Sequence, residues 1–258
     1  MDELAMLKPK LTRLKLSGIS ETLEARISQA MREKWSFSQF LELLLSDEVE
    51  RRDFKQLGRR LSRSTLEPDK TLETFDFRFN PRIHEPTVRE LATCQFITKH
   101  ENVFLVGPSG VGKSHLGQAL GHEACRRGHE VLYRRTSSLA AWVQAGRGDG
   151  SRDRRLRQLA AVNLLVLDDF GLTPLSEEQQ ADLYEIICDR YERASTILTS
   201  NRDFSEWPGV FANPLMGSAA MDRLVHRAVK IVIEGKSYRL ESFVKRSKRS
   251  SHATSEST

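Results

Sequence analysis

Cysteine is scarce in this chain: three among 258 residues, Cys94, Cys125 and Cys188, odd in number and far apart. That excludes a disulfide framework and a Cys-x-x-Cys metal clip, and leaves three reduced, cytoplasmic thiols filling the space of small apolar side chains. Long apolar runs are missing too. None approaches the roughly 20 residues that span a bilayer, so no membrane segment is expected. The opening stretch MDELAMLKPK carries acids at positions 2 and 3 and no apolar core, which argues against a secretory signal. There is no internal repeat, and nothing has the spacing of a helix-turn-helix or a zinc finger. Neither sign of charge dominates: 40 Lys and Arg stand against 35 Asp and Glu, for a net charge of +5.

The rest is ordinary globular material, 39% hydrophobic and 29% charged, with length enough for a small domain and a medium one. Residues 4–66 read as helical. Leu11, Leu14, Leu16, Ile19, Leu23, Ile27 and Met31 approximate the spacing of an amphipathic helix, and a second helix is expected from Ser36 or Ser38. The run Phe40, Leu41, Leu43, Leu44, Leu45 reads as bundle core. After a break at Pro68, a connector contains the strand-like TLETFDF and short elements around Pro81 and Pro86. From Asn102 onward NVFLV (102–106), EVLYR (130–134), NLLVL (163–167), STILT (195–199) and KIVIE (230–234) alternate with helices starting near Lys113, Leu139, Ser176 and Ser218. This predicts an α/β fold, a five-stranded parallel sheet covered by helices on both faces. The expected domains are 1–66, helical; 67–242, the α/β domain; and 243–258, a basic, disordered tail containing Lys245, Arg246, Lys248 and Arg249.

The most specific signal follows the first strand. Gly107, Pro108, Ser109, Gly110, Val111, Gly112, Lys113 and Ser114 satisfy G-x-x-x-x-G-K-[ST], and with His115 they open a helix. That strand–loop–helix setting is the one in which backbone amides cradle phosphates. Lys113 is expected to reach the β- and γ-phosphates of ATP, and the Ser114 hydroxyl to ligate Mg²⁺. The strand NLLVL ends in Asp168 and Asp169: the first would hold the metal through water, the second would polarise the attacking water as general base. The next strand ends in Ser200-Asn201, which could orient water at the γ-phosphate. In MDRLVHRAV the spacing alone does not choose between Arg223 and Arg227 as an arginine delivered across a subunit boundary.

Taken in order, GPSGVGKSHL, LLVLDDFG, RYERASTILTSNRDFSEW, MDRLVHRA and GKSYRL resemble the IstB-like ATP-binding proteins, relatives of the helicase loader DnaC and the initiator DnaA. The resemblance runs from about residue 7 to Leu240. It implies an AAA+ P-loop ATPase with a small all-α N-terminal domain, a homo-oligomer with ATP at its subunit interfaces, binding of duplex DNA with little sequence preference, and a cognate transposase as partner. It also implies sensor roles for Asn201 and Arg239 and the trans-acting role for Arg223. Asp169 departs from the glutamate that many AAA+ proteins carry, which would suit slow, DNA-stimulated turnover. The stretch AGRGDGSRDRRLRQL, with Arg147, Arg152, Arg154, Arg155 and Arg157, is the first expected DNA contact, read as a mobile glycine-flanked loop; Lys8, Lys10, Arg13 and Lys15 are the second. A helicase loader, an ATP-assembled DNA-coating scaffold and a small-molecule kinase are the rival readings.

Overall fold

The computed structural model describes residues 3–241. The basic cluster Lys245, Arg246, Lys248 and Arg249, and with it the expected disordered tail, lies outside the described residues. Two compact units divide the chain between Arg59 and Arg60.

The first unit is all helical: α1 (Glu3–Arg13), α2 (Ser17–Glu33) and the greater part of α3 (Phe37–Ser64). The expected continuous apolar face is broken at 14–16, and Leu14 and Met31 are exposed. A small core forms instead from Ile19, Leu23 and Leu44, with Leu4, Leu11, Leu16, Ile27 and Phe40 packed against it. Of the leucine run, Leu44 is buried while Leu41 and Leu45 face solvent. One helix face can bury only every third or fourth residue, so a consecutive run has to split. The residue before α2 is Leu16, which has no side-chain oxygen to cap the helix. Glu48 of α3 does it, accepting from Gly18 N–H at 2.6 Å and Ile19 N–H at 3.3 Å while Arg52 donates to its other oxygen at 2.7 Å. Burial opposes that charge, but Arg52 and the two amides win and hold the carboxyl below its usual value.

The second unit is an α/β domain. The end of α3 leads into turns, then α4 (Glu85–Leu91) and α5 (Gln95–Thr98), the latter unforeseen in the sequence. There follow β1 (Asn102–Val106), α6 (Lys113–Arg126), β2 (Val131–Arg135), α7 (Thr136–Gly148), α8 (Arg152–Ala161), β3 (Leu164–Asp168), α9 (Glu177–Arg190), β4 (Ser195–Ser200), a 3-10 turn (Phe204–Val210), α10 (Pro214–Val225) and β5 (Ala228–Val232). All five strands are parallel, in the order β2-β3-β4-β1-β5. The last strand starts two residues before the expected 230. Helices α7 and α10 start three and four residues early, at Thr136 and Pro214, the latter on the Asn213 cap. TLETFDF is no strand: it is built of turns, closed by Thr74, whose hydroxyl meets the Asp69 and Thr71 carbonyls at 2.6 and 3.1 Å.

Alternate residues of each strand serve opposite faces. Phe104, Val106, Leu165, Leu167 and Leu198 join one core with residues of α7 to α10. On the other face α6 lies so close that a Cβ on Gly117 would meet Thr199, Val166 and Ile197 at 3.3–3.7 Å. From β1 the chain crosses towards β2 over β4 and β3; from β4 it crosses the other way, to β5. The connections therefore part between β1 and β4, and ligands of open α/β sheets sit at such a switch point, beyond the strands' carboxyl ends.

Candidate functional site

The phosphate-loop sequence lies at that crevice. Gly107 N–H donates to the Ser200 carbonyl at 3.1 Å, tying the loop's start to the end of β4. Gly112, with φ of 104°, turns the chain into α6, and a Cβ there would strike the Phe75 ring at 2.9 Å, so both backbone and space require glycine. Lys113 is 5% exposed and its ammonium donates to the Pro108 carbonyl at 2.7 Å. Burial pulls it down to about 8, against the opposing pull of Asp169 and Asp168. Ser114 follows on the same first turn, half-buried, while Val111 is buried and anchors the loop.

The acidic pair comes to the same place from the end of β3. Asp168 is 2% exposed and each oxygen has a donor: the Tyr133 hydroxyl at 2.9 Å on Oδ2, the Thr199 hydroxyl on Oδ1. The Thr136 hydroxyl donates to its backbone carbonyl at 2.9 Å. Asp169 has φ of 56° and its N–H donates to Thr199 Oγ1 at 3.1 Å. Burial and then the neighbouring Asp168 push its carboxyl above the usual range, opposed by Arg135, Lys113 and Arg239. Burial, then the Asp168 charge, push the Tyr133 phenol up, so it stays a donor.

The segment after β5 lies over the loop from the other side. Tyr238 N–H donates to the Gly110 carbonyl at 3.0 Å, and Arg239 Nη2 donates to Ser109 Oγ at 3.0 Å. Asn201 stands half-buried immediately after β4, next to the strand end that carries the loop. Lys113, Asp168, Asp169 and Arg239 are thus brought within electrostatic reach of one another. His115 turns elsewhere: its Nε2 lies 2.9 Å from the Thr71 carbonyl and its ring packs edge-on to Phe75, so its side chain holds the connector. Arg223 has its contacts on α9 and α10, donating to the Ala219 carbonyl at 2.8 Å with its guanidinium 5.8 Å from the Tyr184 ring centre. It reaches nothing in the loop of its own chain among these contacts.

These groups suit a magnesium nucleotide. A buried ammonium, a run of small loop residues at a helix N-terminus and a fixed carboxylate within electrostatic reach of that ammonium are what a polyphosphate with a hard cation requires. Among the described residues no cluster of three or more His, Cys, Asp or Glu forms a metal cage; a cation here would lean on Ser114, Asp168 and the phosphates themselves.

The arginine-rich stretch is a correction. It is not a mobile loop but the end of α7, a short turn and α8, and three of its five arginines are consumed internally. Arg147 and Arg152 both donate to Asp182 of α9, at 2.6 and 2.7 Å. Arg155 binds Asp149 at 2.9 Å and the Trp142 carbonyl. Arg154 and Arg157, three apart on α8, point to solvent. In the first unit Lys8 pairs with Glu24 at 2.9 Å, while Lys10, Arg13 and Lys15 are exposed.

Tyr133, Thr199, Thr136 and Arg135 escaped sequence reasoning. Strand register makes them visible: Arg135 is the partner of Asp168, and Thr199 lies two residues, one full strand period, before Asn201.

The family model of the IstB-like ATP binding proteins matches residues 9–247. A protein assigned an ATP-binding role in insertion sequence IS21 of Pseudomonas aeruginosa is 38% identical over 241 residues, covering 93% of this chain and 90% of that one. A similar insertion-sequence protein of Mycobacterium tuberculosis is 39% identical over 234 residues, 90% of this chain and 93% of the relative. Among solved structures, AMPPCP-bound DnaA from Aquifex aeolicus is 26% identical with a TM-score of 0.55, matching 72% of this chain but only 56% of its own. The DnaC helicase loader is 25% identical with a TM-score of 0.50, over 57% of this chain and 86% of that one.

Proposed function

The chain belongs to the IstB-like ATP binding proteins, with the AAA+ fold of DnaA and DnaC, and from that premise we propose that it binds and hydrolyses ATP, assembles on duplex DNA and recruits the transposase of its own insertion element. The observation that carries the nucleotide part is the convergence of the buried Lys113, the pinned Asp168 and the half-buried Asp169 on one place. The loop amides and Lys113 bind the phosphates. Ser114 and Asp168 would hold Mg²⁺, which when bound neutralises phosphate charge. Asp169 takes the proton of the attacking water, helped by a carboxyl held above its usual range. Asn201 orients that water, and Arg239 leaves Ser109 for the γ-phosphate. Arg223, with no partner on its own loop, suits delivery to a neighbouring subunit's nucleotide.

The DNA part draws on the insertion-sequence relatives and on surface chemistry. Arg154 and Arg157 are the cations of α8 left for phosphates, so contact would be with backbone rather than bases. No helix among the described residues is long and apolar enough to cross a membrane, and none of these roles needs one. The likeness to the DnaC loader keeps a replicative helicase as the competing client.

The test is ATP turnover of the purified chain with and without duplex DNA, beside Lys113→Ala. Slow turnover raised by duplex and lost in Lys113→Ala supports the proposal. Turnover indifferent to DNA sinks the duplex part and points to a protein client.

A further inference from the structure

Asp168 and Asp169 are neighbours in sequence and are held in opposite ways. Both oxygens of Asp168 are gripped, by the Tyr133 hydroxyl at 2.9 Å and by Thr199, and its carbonyl by Thr136. Among the described residues Asp169 is gripped only through its backbone, whose N–H donates to the same Thr199 oxygen at 3.1 Å. Its backbone takes the left-handed conformation, with φ of 56°. Thr199 Oγ1 therefore links the two residues, donating a hydrogen bond to the Asp168 carboxylate and accepting one from Asp169 N–H. Tyr133 enters from β2, the edge strand, two residues before Arg135, the register partner of Asp168. Nothing in the phosphate-loop or acidic motifs asks for a tyrosine there.

We infer that Tyr133 is a positioning residue: with Thr199 it locks the Asp168 carboxylate in the one orientation in which it can hold Mg²⁺, and so leaves Asp169 as the free base. The inference rests on the nucleotide reading of the site. A carboxylate oxygen has two lone pairs, so each Asp168 oxygen keeps one for a metal-bound water while its other is occupied by a hydroxyl. Remove one donor and the group can rotate, losing its aim though not its charge. Partners of this kind are worth ~10- to 100-fold in metal affinity or activity when removed. Phenylalanine keeps the ring of Tyr133 and deletes only the donor; valine keeps the shape of Thr199 but removes both its donor to Asp168 and its acceptor for Asp169 N–H.

The experiment uses the full chain and a fluorescent ATP analogue, titrated with Mg²⁺ and, separately, in EDTA, with the thermal midpoint recorded for each variant. In Tyr133→Phe and in Thr199→Val the Mg²⁺ concentration giving half the metal-dependent gain in binding should rise ~10-fold. Binding in EDTA should not change, and Thr199→Ser should restore the wild-type value. A merely structural tyrosine would lower the thermal midpoint and leave the Mg²⁺ midpoint in place. Wild-type Mg²⁺ dependence in both Tyr133→Phe and Thr199→Val overturns the inference, and if Tyr133→Phe does not fold, Tyr133→Leu, which also lacks the donor, decides it in its place. A wild-type chain that binds the analogue in neither condition overturns the nucleotide reading, and the inference falls with it.

Discussion

Burial brings the Lys113 ammonium to about 8 from its ordinary 10.5, even with Asp169 and Asp168 pulling the other way. Since the folded value is the lower one, the folded chain gains stability as pH rises from about 8 towards 10.5, where the unfolded chain still holds a proton that the folded one has lost. A polyphosphate docking on this group restores the proton. Nucleotide binding should therefore take up a proton near pH 8 and weaken as pH climbs above it. Calorimetry at pH 8 in two buffers of different ionisation enthalpy measures the uptake directly; equal heats in both would contradict it. The loop and the acidic pair were legible in the sequence because their chemistry is local: small residues, one lysine and two carboxylates at the ends of two strands. Tyr133 and Thr199 were not, because what they do depends on which strand lies beside which, and register is a property of the sheet.

Elements were legible where their pattern had one cause. Four of the five strands read to within a residue at either end, three of them short runs buried along nearly their whole length and the fourth, β2, buried over its first two residues. TLETFDF misled because its alternation is real but has another origin. Phe75, Phe77 and Phe79 are half-buried and Asp76 and Arg78 exposed, yet Phe75 packs on Gly112 and His115 rather than pairing with a strand. The arginine-rich stretch misled because the partners of Arg147 and Arg152, Asp182 and Glu185, lie thirty residues or so downstream. Two outcomes follow at this scale. Replacing Arg154 and Arg157 with alanine should weaken duplex binding and flatten the log K against log salt slope by about 1.8 per subunit, two phosphates at about 0.9 each, with the fold intact. An unchanged slope would remove α8 from the DNA surface. In the first unit α2 and α3 touch so closely at Gly18 that a Cβ would lie 2.7 Å from Glu48 Cα. Gly18→Ala should cost about 1–3 kcal/mol through forced separation, read as lost amide-exchange protection confined to α2 and α3. Wild-type protection there would mean that the contact gives way without cost.

At the scale of the whole molecule, the α/β fold with its parallel sheet and the small helical N-terminal unit are those expected from the alternation of strands and helices, and the family match spans nearly the whole chain. Assembly is another matter, since a subunit interface leaves little pattern in one sequence. Arg223 offers the handle. If its guanidinium serves a neighbour, Arg223→Ala and Lys113→Ala subunits, each inactive alone, should recover part of the ATP turnover when mixed, because one kind of mixed interface carries an intact loop facing an intact arginine. Mixtures as inactive as their components would confine Arg223 to its own chain, where it holds α10 to Tyr184.

The most direct test of ATP-gated assembly on DNA is the sedimentation of the protein on a duplex, with and without ATP, for the wild type, Lys113→Ala and Asp169→Asn. Nucleotide bound but not cleaved should hold the assembly together. Asp169→Asn should then form a large complex with DNA in ATP and keep it, the wild type should form one that decays as ATP is consumed, and Lys113→Ala should form none. Complexes of the same size with and without ATP in all three would contradict the account.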